Sequence, residues 1–198
     1  EYKDQKYCLN YGQWYCIDRD FAMEIKQDYE STEVSSIEFD DFTKAHSTEG
    51  EYTEEFHASH ADQYLLLDAK NVSYGGGHSK VEICDLLGKD KSLIHVKRYT
   101  GSSTLSHLFN QGLVSGQLLR EDRKFVEEAN KVIEENTGKT QVLTETNMPT
   151  SIVFAIVSKS EDDRPRLPFF SQITLRHVKR RLQLLGYRVS VKTIRDRR

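Results

Sequence analysis

The sequence has few cysteines and no apolar run long enough to cross a membrane. Its three cysteines, Cys8, Cys16 and Cys84, form no CxxC pair. This odd count argues against a disulfide scaffold or a zinc knuckle and favours reduced thiols in the cytoplasm. No apolar segment approaches the roughly 20 residues of a membrane-spanning helix, and neither a signal peptide pattern nor an internal repeat is visible. We therefore expect a cytoplasmic globular protein that does not enter a membrane.

The start of the chain suggests that a longer protein surrounds it. The first residue is Glu1 and the first methionine is Met23, so we expect a fragment whose missing N-terminal region is a partner of the rest. A chain of 198 residues suits one large domain, or a domain with an appendage. We predict an N-terminal hairpin/helix extension and loop over residues 1–50, followed by one α/β domain over residues 51–198. The sequence leaves a homo-oligomer open.

Charge is unevenly spread along the chain. The net charge is −3, but residues 164–198 contain eleven Lys and Arg against the single acid Asp196. Clustered positive charge of this kind can bind the phosphates of nucleic acid. The alternative is a basic helix that pairs with the acidic remainder of the chain. The residues predicted to contact nucleic acid are Arg98, Arg176, Lys179, Arg180 and Arg181.

The centre of the chain predicts three strands and a helix. Alternating and apolar residues favour strands over 65–72, 80–87 and 92–99. Gly75–Gly77 and the segment 88–91 are typical of hairpin connections. A helix follows, capped by Ser102, Ser103 or Thr104.

The flanking segments predict further elements around this centre. Residues 31–52 are rich in Ser, Thr and Glu, which is typical of a surface loop. The apolar run SIVFAIV favours a central strand buried on both faces. The remaining predictions are helices over 53–63 (capped by Thr53), 121–137 (ended by Gly138) and 169–185, and strands over 151–157 and 187–194.

Charged and polar residues interrupt the three central strands. Because burying a charge costs several kcal/mol unless it is paired or bound to a metal, their presence suggests a site. The residues are Asp68, Glu82, Asp85, His95 and Lys97.

The register of the second and third strands decides which acid meets Lys97. Alternation puts residues 95 and 97 on one face. A five-residue turn would pair Asp85 with His95, whereas a four-residue turn would pair Glu82 with Lys97. We prefer Asp85 and keep Glu82 as a second ligand. An ordinary buried ion-pair network is the alternative to a functional site.

Longer segments resemble a sporadically distributed bacterial family found in defence islands. The segments are GQWYCIDRDF, VEICDLL, LIHVKRYTGSSTLSHLFNQGLVSGQLL and LPFF…LRHVKRRLQLLGYRVS, so the resemblance covers most of the chain. The order of helix, three strands, helix and strand resembles the αβββαβ core of restriction-endonuclease-like nucleases, with a mixed central sheet flanked by helices. More distantly, the segment around Val96-Lys97-Arg98-Tyr99 resembles Mrr-type restriction endonucleases.

These resemblances imply a nuclease site that uses Mg²⁺ or Mn²⁺ to cut nucleic acid, with DNA as the expected substrate. Asp85 would bind the metal, His95 would occupy the position of a Glu or Gln, and Lys97 would be the catalytic lysine. The implied additional residues are Glu82, Glu54 and Glu55 as metal ligands and Asp68 and Gln111 as supporting groups.

His95 departs from the family pattern, because imidazole is a poor ligand for Mg²⁺ and suits transition metals better. This departure favours Mn²⁺, or a degenerate fold that binds nucleic acid or a protein without cleaving. A third hypothesis is a structural module whose activity lies elsewhere in the protein. Two weaker motifs are a glycine loop at His78, interpreted as a hairpin tip, and a Ser102/Ser103/His107 hydrolase, which no GxSxG motif supports.

Overall fold

The structure is a computed structural model that describes residues 6–10, 13–74 and 79–198. It is a mixed α/β fold whose six-stranded central sheet is flanked by helices. The elements in chain order are β1 (Lys6–Asn10), β2 (Gln13–Ile17), α1 (Arg19–Glu30), β3 (Glu33–Val34), α2 (Glu49–Ser59), β4 (Tyr64–Leu66), β5 (Asn71–Tyr74), β6 (Ser79–Glu82), β7 (Leu86–Gly88), β8 (Ser92–Arg98), α3 (Ser102–Glu121), α4 (Arg123–Thr137), β9 (Ser151–Ser158), α5 (Phe169–Leu184) and β10 (Arg188–Arg195).

The central sheet has the strand order β3-β10-β9-β8-β7-β4. The four strands from β3 to β8 are parallel neighbours, whereas β7 pairs antiparallel with both β8 and β4. β9 lies between β10 and β8, and every residue between its two ends is buried. The prediction of a central strand from its continuous apolar sequence is therefore confirmed.

Two apolar layers enclose the sheet. On one face, Phe109 of α3, Phe125 of α4 and Leu175 of α5 pack with Phe154 of β9. On the other face, rings from α2 and from the segment before it, including Phe42, pack with the alternate residues of β8 and β9. This opposite allocation follows from the period of two along a strand.

The first two central strands are shorter than predicted. The segment 65–72 is divided into β4 and β5, and the segment 80–87 into β6 and β7. β5 and β6 form a separate antiparallel hairpin outside the central sheet. The predicted break at Gly75–Gly77, with His78, lies outside the described residues.

The helix before the first central strand begins four residues earlier than predicted. Thr53 is buried inside α2, and the cap is Thr48. Thr48 accepts a hydrogen bond from the Glu51 N–H, and the Glu51 carboxylate accepts one from the Thr48 N–H. This reciprocal capping box starts the helix at Glu49.

The predicted boundary between residues 50 and 51 does not divide the sheet. β3 precedes this boundary and pairs with β10, while α1 packs against α5. Phe42, in the segment predicted as a surface loop, is fully buried. The described residues before the boundary thus contribute an edge strand and core side chains to the same fold.

Among the described residues, no helix combines the length and the apolar character that crossing a membrane requires.

Helix α3 lies very close to β9 because small residues face the strand. A Cβ atom added at Gly112 would lie 2.6 Å from Phe154 Cε1. We predict that Gly112→Ala lowers the free energy of unfolding by about 1–3 kcal/mol through overpacking, measured by urea denaturation.

Gly101→Ser is the matched control, since an added Cβ there meets nothing within 4 Å and a serine suits the N-cap. Equal stability of the two variants would contradict this close packing.

Candidate metal centre

Two acidic side chains lie where the chain leaves the central sheet for the β5–β6 hairpin and where it returns to the sheet. Asp68 follows β4, and Asp85 precedes β7, which pairs antiparallel with β4. The Leu67 N–H donates to the Asp85 carbonyl at 2.8 Å, and the Asp85 N–H donates to the Ile94 carbonyl at 3.0 Å. These backbone bonds fix Asp85 between its two neighbouring strands.

The pairing of β7 with β8 selects one of the two registers considered from the sequence. Leu86 lies opposite Ile94, which corresponds to the five-residue turn. The paired register ends at Leu86, because the Asp85 N–H donates to the carbonyl of the same Ile94 that Leu86 faces. The Asp85 Oδ2 atom accepts a hydrogen bond from the Val96 N–H at 2.5 Å, so this carboxylate is held against the backbone of β8.

Three carboxylates converge at this point. Asp68, Glu82 and Asp85 each offer an oxygen, and these oxygens all lie within 4.8 Å of one another. All three residues are partly buried, and Asp85 is enclosed enough for burial to be the main influence on the pKa of its carboxyl. Asp68 and Glu82, which the sequence indicated as secondary members, are therefore as central as Asp85.

The Glu82 carboxylate is held by one donor on each oxygen. Its Oε1 atom accepts a hydrogen bond from the Ala69 N–H at 2.6 Å, and its Oε2 atom accepts one from Gln111 Nε2 at 3.1 Å. Gln111 lies on α3 and faces the cluster, in the supporting position proposed for it. Because a carboxylate oxygen has two acceptor sites, Glu82 keeps capacity to bind a cation.

The surroundings of the cluster oppose its ionisation. Burial, and then the charge of Glu82, raise the pKa of Asp85 well above its usual range. Burial and the charge of Asp68 raise the pKa of Glu82, although the Ala69 N–H and the charges of Lys97 and His107 oppose this rise. Carboxylates in such an environment retain protons unless a cation replaces them.

The dimensions and chemistry of the cluster fit a divalent cation. Mg²⁺ prefers oxygen ligands at about 2.1 Å in octahedral geometry, so two ligands of one ion lie about 3.0 Å apart when adjacent and about 4.2 Å apart when opposite. The cluster oxygens, within 4.8 Å of one another, would move closer together to reach these spacings. Asp68, Glu82 and Asp85 are thus the residues that would hold Mg²⁺ or Mn²⁺.

Lys97 lies between the cluster and the start of α2. Its Nζ atom is 3.7 Å from Glu49 Oε1, and the same oxygen accepts a hydrogen bond from the Arg98 N–H at 3.2 Å. Burial of Glu49 opposes its ionisation, but hydrogen bonds from its own N–H and that of Arg98, with the charges of Lys97 and Arg98, lower its pKa. Glu49 is therefore an anionic partner that fixes one end of Lys97.

His95 does not join the cluster, which corrects its predicted role as a ligand, a base or a phosphate contact. Its ring is 2% exposed and lies under α3, with Nε2 at 3.5 Å from Ser115 Oγ and the ring tilted against Phe154. Burial lowers its pKa to about 4. The shared strand face was inferred correctly, but α3 covers His95 whereas Lys97 extends beyond the packed part of that face.

Glu54 and Glu55 also lie apart from the three carboxylates, which corrects their predicted role as ligands. Both are exposed on α2, and Glu55 Oε2 lies 2.9 Å from His46 Nε2. The carboxylate of α2 that faces the site is Glu49, which sequence reasoning missed. The capping pattern from Thr48 to Glu51 could have found it, because that pattern places Glu49 in the first turn.

Two basic side chains of helix α5 are buried inside the protein and paired with acidic residues. Lys179 Nζ lies 2.8 Å from Asp28 Oδ2, and Arg176 Nη2 is bonded to Glu24. Both basic side chains are buried against α1, so their predicted contact with a nucleic-acid backbone is wrong and the alternative of pairing with acidic residues holds for them. Arg180 and Arg181 remain exposed.

Removing any one of the three carboxylates should weaken metal binding. We predict that Asp68→Asn, Glu82→Gln and Asp85→Asn each lower Mn²⁺ affinity by about 100-fold or more, above the 10–100-fold usual for residues that only support a ligand. Isothermal titration calorimetry measures this loss.

Glu54→Gln, an exposed change on α2, is the control and should bind Mn²⁺ like the wild type. If all four variants bound Mn²⁺ equally, or the wild type bound none, the assignment of the metal centre would be wrong.

Burial of His95 should make stability fall in acid. Its folded pKa of about 4 lies below the unfolded value of about 6.5, so the unfolded chain binds more protons between these values. The contribution of His95 to stability is then complete above pH 6.5 and is lost as pH falls through this window, by about 3 kcal/mol in all.

Urea denaturation from pH 7 to pH 4 measures this slope, and His95→Gln should flatten it. The same slope in the variant would mean that His95 is not the group responsible.

Comparisons with known proteins give a family but no activity. A model of the family DUF6119, described as a family of unknown function, matches residues 1–195. Searches of curated proteins and of solved structures found no significant match. Since the matched residues include every element described above, the chain belongs to the DUF6119 family.

Proposed function

We propose that the chain is a metal-dependent nuclease domain that hydrolyses phosphodiester bonds, with DNA as the expected substrate. The observation that carries this proposal is the convergence of the Asp68, Glu82 and Asp85 oxygens within 4.8 Å, with the charge of Lys97 close enough to affect Glu82. Acidic oxygen ligands beside an ammonium group suit an anionic phosphate ester that must be bound and attacked by water.

In this proposal the three carboxylates would hold the metal, and Lys97 would stabilise the phosphate. When bound, Mg²⁺ or Mn²⁺ supplies Lewis-acid activation of the phosphate and of a water molecule. Lys97 neutralises charge that develops on the phosphate oxygens. Glu49 orients Lys97 through their ion pair, and Gln111 orients Glu82 through its hydrogen bond.

The order of elements around the centre supports this assignment. α2, β4, β7, β8, α3 and β9 follow the αβββαβ order of restriction-endonuclease-like nucleases, with the β5–β6 hairpin as an insertion. The sequence resemblance to proteins of bacterial defence islands supports the further proposal of a cytoplasmic enzyme that acts on phage or other foreign DNA.

A second function, binding nucleic acid or a partner protein without cleaving, is favoured by one specific observation. β8 contributes no carboxylate, because its candidate position is the buried His95. Glu82 of β6 offers the missing oxygen ligand, which is why we prefer the active enzyme. Salt-sensitive DNA binding with no metal-dependent cleavage would identify the second function.

Plasmid and oligonucleotide cleavage in Mn²⁺ or Mg²⁺ tests the nuclease directly. We expect cleavage by the wild type, and a loss of about 100-fold or more in Asp85→Asn and Lys97→Met, because a ligand or a charge-neutralising group is removed.

Lys89→Met is the matched control, since Lys89 is exposed on the turn before β8, and it should cleave like the wild type. Wild type and Lys97→Met acting at equal rates would exclude the catalytic role of Lys97.

A further inference from the structure

A cleft of about 440 Å³ opens directly beside the metal centre. It lies between α3 and the β5–β6 hairpin, which pack against each other. Glu82 and Gln111, which belong to the centre, also line the cleft. Anything bound in the cleft would therefore touch a residue of the metal centre.

One wall of the cleft is a stripe along α3. His107, Gln111 and Val114 are spaced by four and three residues, which places them on one helix face. His107 is exposed, and Val114 is 44% exposed although it is apolar. Along the helix, this wall therefore presents an aromatic ring, then an amide and then an apolar side chain to the cleft.

The other wall is one side of the hairpin. Lys80 and Glu82 are two residues apart on β6, so their side chains point to the same side. Asn71 lies opposite Glu82 in the register of the hairpin and also lines the cleft. The wall thus carries an ammonium group and an amide beside the metal-binding carboxylate.

Positive charge lies at the cleft and next to it. The charges of His107 and Lys97 both act on Glu82 and favour its ionised form, and Lys80 lines the cleft. Lys80 is within the cleft itself. It would bind the phosphate of a nucleotide whose neighbouring phosphate lies at the metal centre.

The size and lining of the cleft suit one nucleotide unit. Its volume lies within the roughly 300–1,000 Å³ of small-molecule sites. Bases bind to single-strand sites by stacking on aromatic and apolar side chains, with backbone phosphates on nearby cations. His107 and Val114 offer the stacking surface. The Nδ2 atoms of Asn71 and Asn110 already donate to backbone carbonyls, and their side-chain oxygens offer acceptors to a base edge.

The same surface is less suited to binding a continuous duplex. Duplex binding depends on neutralising several phosphates on two strands. In the described part of α5, Arg176 and Lys179 are already paired with acids of α1. These two buried cations are therefore not available to the phosphates of a duplex, whereas Lys80 at the cleft is exposed.

We propose that this cleft binds one unpaired nucleotide next to the scissile phosphate, so that the substrate is nucleic acid with a single-stranded segment at the cut site. The proposal rests on the nuclease function proposed above. It adds a subsite formed by Lys80, His107 and Val114, and it specifies the form of substrate.

Fluorescence anisotropy in Ca²⁺ tests the subsite by binding alone. The probes are a labelled 12-nucleotide oligo(dT), a blunt 12-base-pair duplex and a duplex with a four-nucleotide gap. We expect the single-stranded and gapped probes to bind about tenfold or more tightly than the blunt duplex. Val114→Glu, which puts a negative charge in the cleft, and His107→Ala, which removes the stacking ring, should each weaken oligo(dT) binding about tenfold.

Leu184→Glu is the matched control, because Leu184 is 88% exposed on α5, and it should bind oligo(dT) like the wild type. Melting temperatures establish that all variants are folded, and His107→Ala carries the test if Val114→Glu does not fold. Equal affinity for the blunt and gapped probes, or wild-type affinity in His107→Ala, would overturn the subsite.

Cleavage of the same probes in Mn²⁺ separates the two proposals. Cleavage of gapped and blunt duplexes at equal rates would retain the nuclease and overturn the subsite. Binding of oligo(dT) that depends on His107, without cleavage of any probe, would retain the subsite and overturn the nuclease.

Discussion

The mutual repulsion of three carboxylates is the constraint on which this structure depends. With an effective dielectric constant near 20, two unit charges 4.8 Å apart repel by about 3.5 kcal/mol, and partial burial of Asp68, Glu82 and Asp85 adds a desolvation cost. The fold nevertheless directs the N–H groups of Ala69 and Val96 at this cluster, which positions the carboxylates without neutralising them. Because protons or a cation must supply the missing charge, metal binding and protonation compete at one place.

The contrast with the rest of the protein makes this imbalance significant. On α5 and β10, buried cations have acidic partners: Lys179 pairs with Asp28, and the almost fully buried Lys192 pairs with Glu38 and Asp163. Such pairing is how a fold tolerates buried charge. At the candidate metal centre the excess has the opposite sign and the charge of Lys97 offsets it only in part, so the same fold treats structural and candidate functional charges differently.

The sequence was informative where local pattern decides the outcome. The continuous apolar run identified β9, and a glycine after α4 marked the end of that helix, where Gly138 is left-handed with φ of 69°. It was less informative where tertiary contacts decide. Alternation placed His95 on the correct strand face but could not reveal that α3 covers that part of the face, and the convergence of Asp68 with Glu82 depends on strand breaks that only the β5–β6 pairing produces.

Lys97 connects the charge of the centre to its proposed chemistry. Its ammonium group lies near Glu49, and its charge also acts on Glu82, so two anions attract it at once. A divalent cation held by the cluster would cancel much of the attraction from Glu82, and phosphate oxygens could then compete with Glu49 for the ammonium. In the proposed nuclease, the metal therefore favours phosphate binding twice: it attracts the phosphate itself, and it weakens the hold of the carboxylates on the lysine that the phosphate needs.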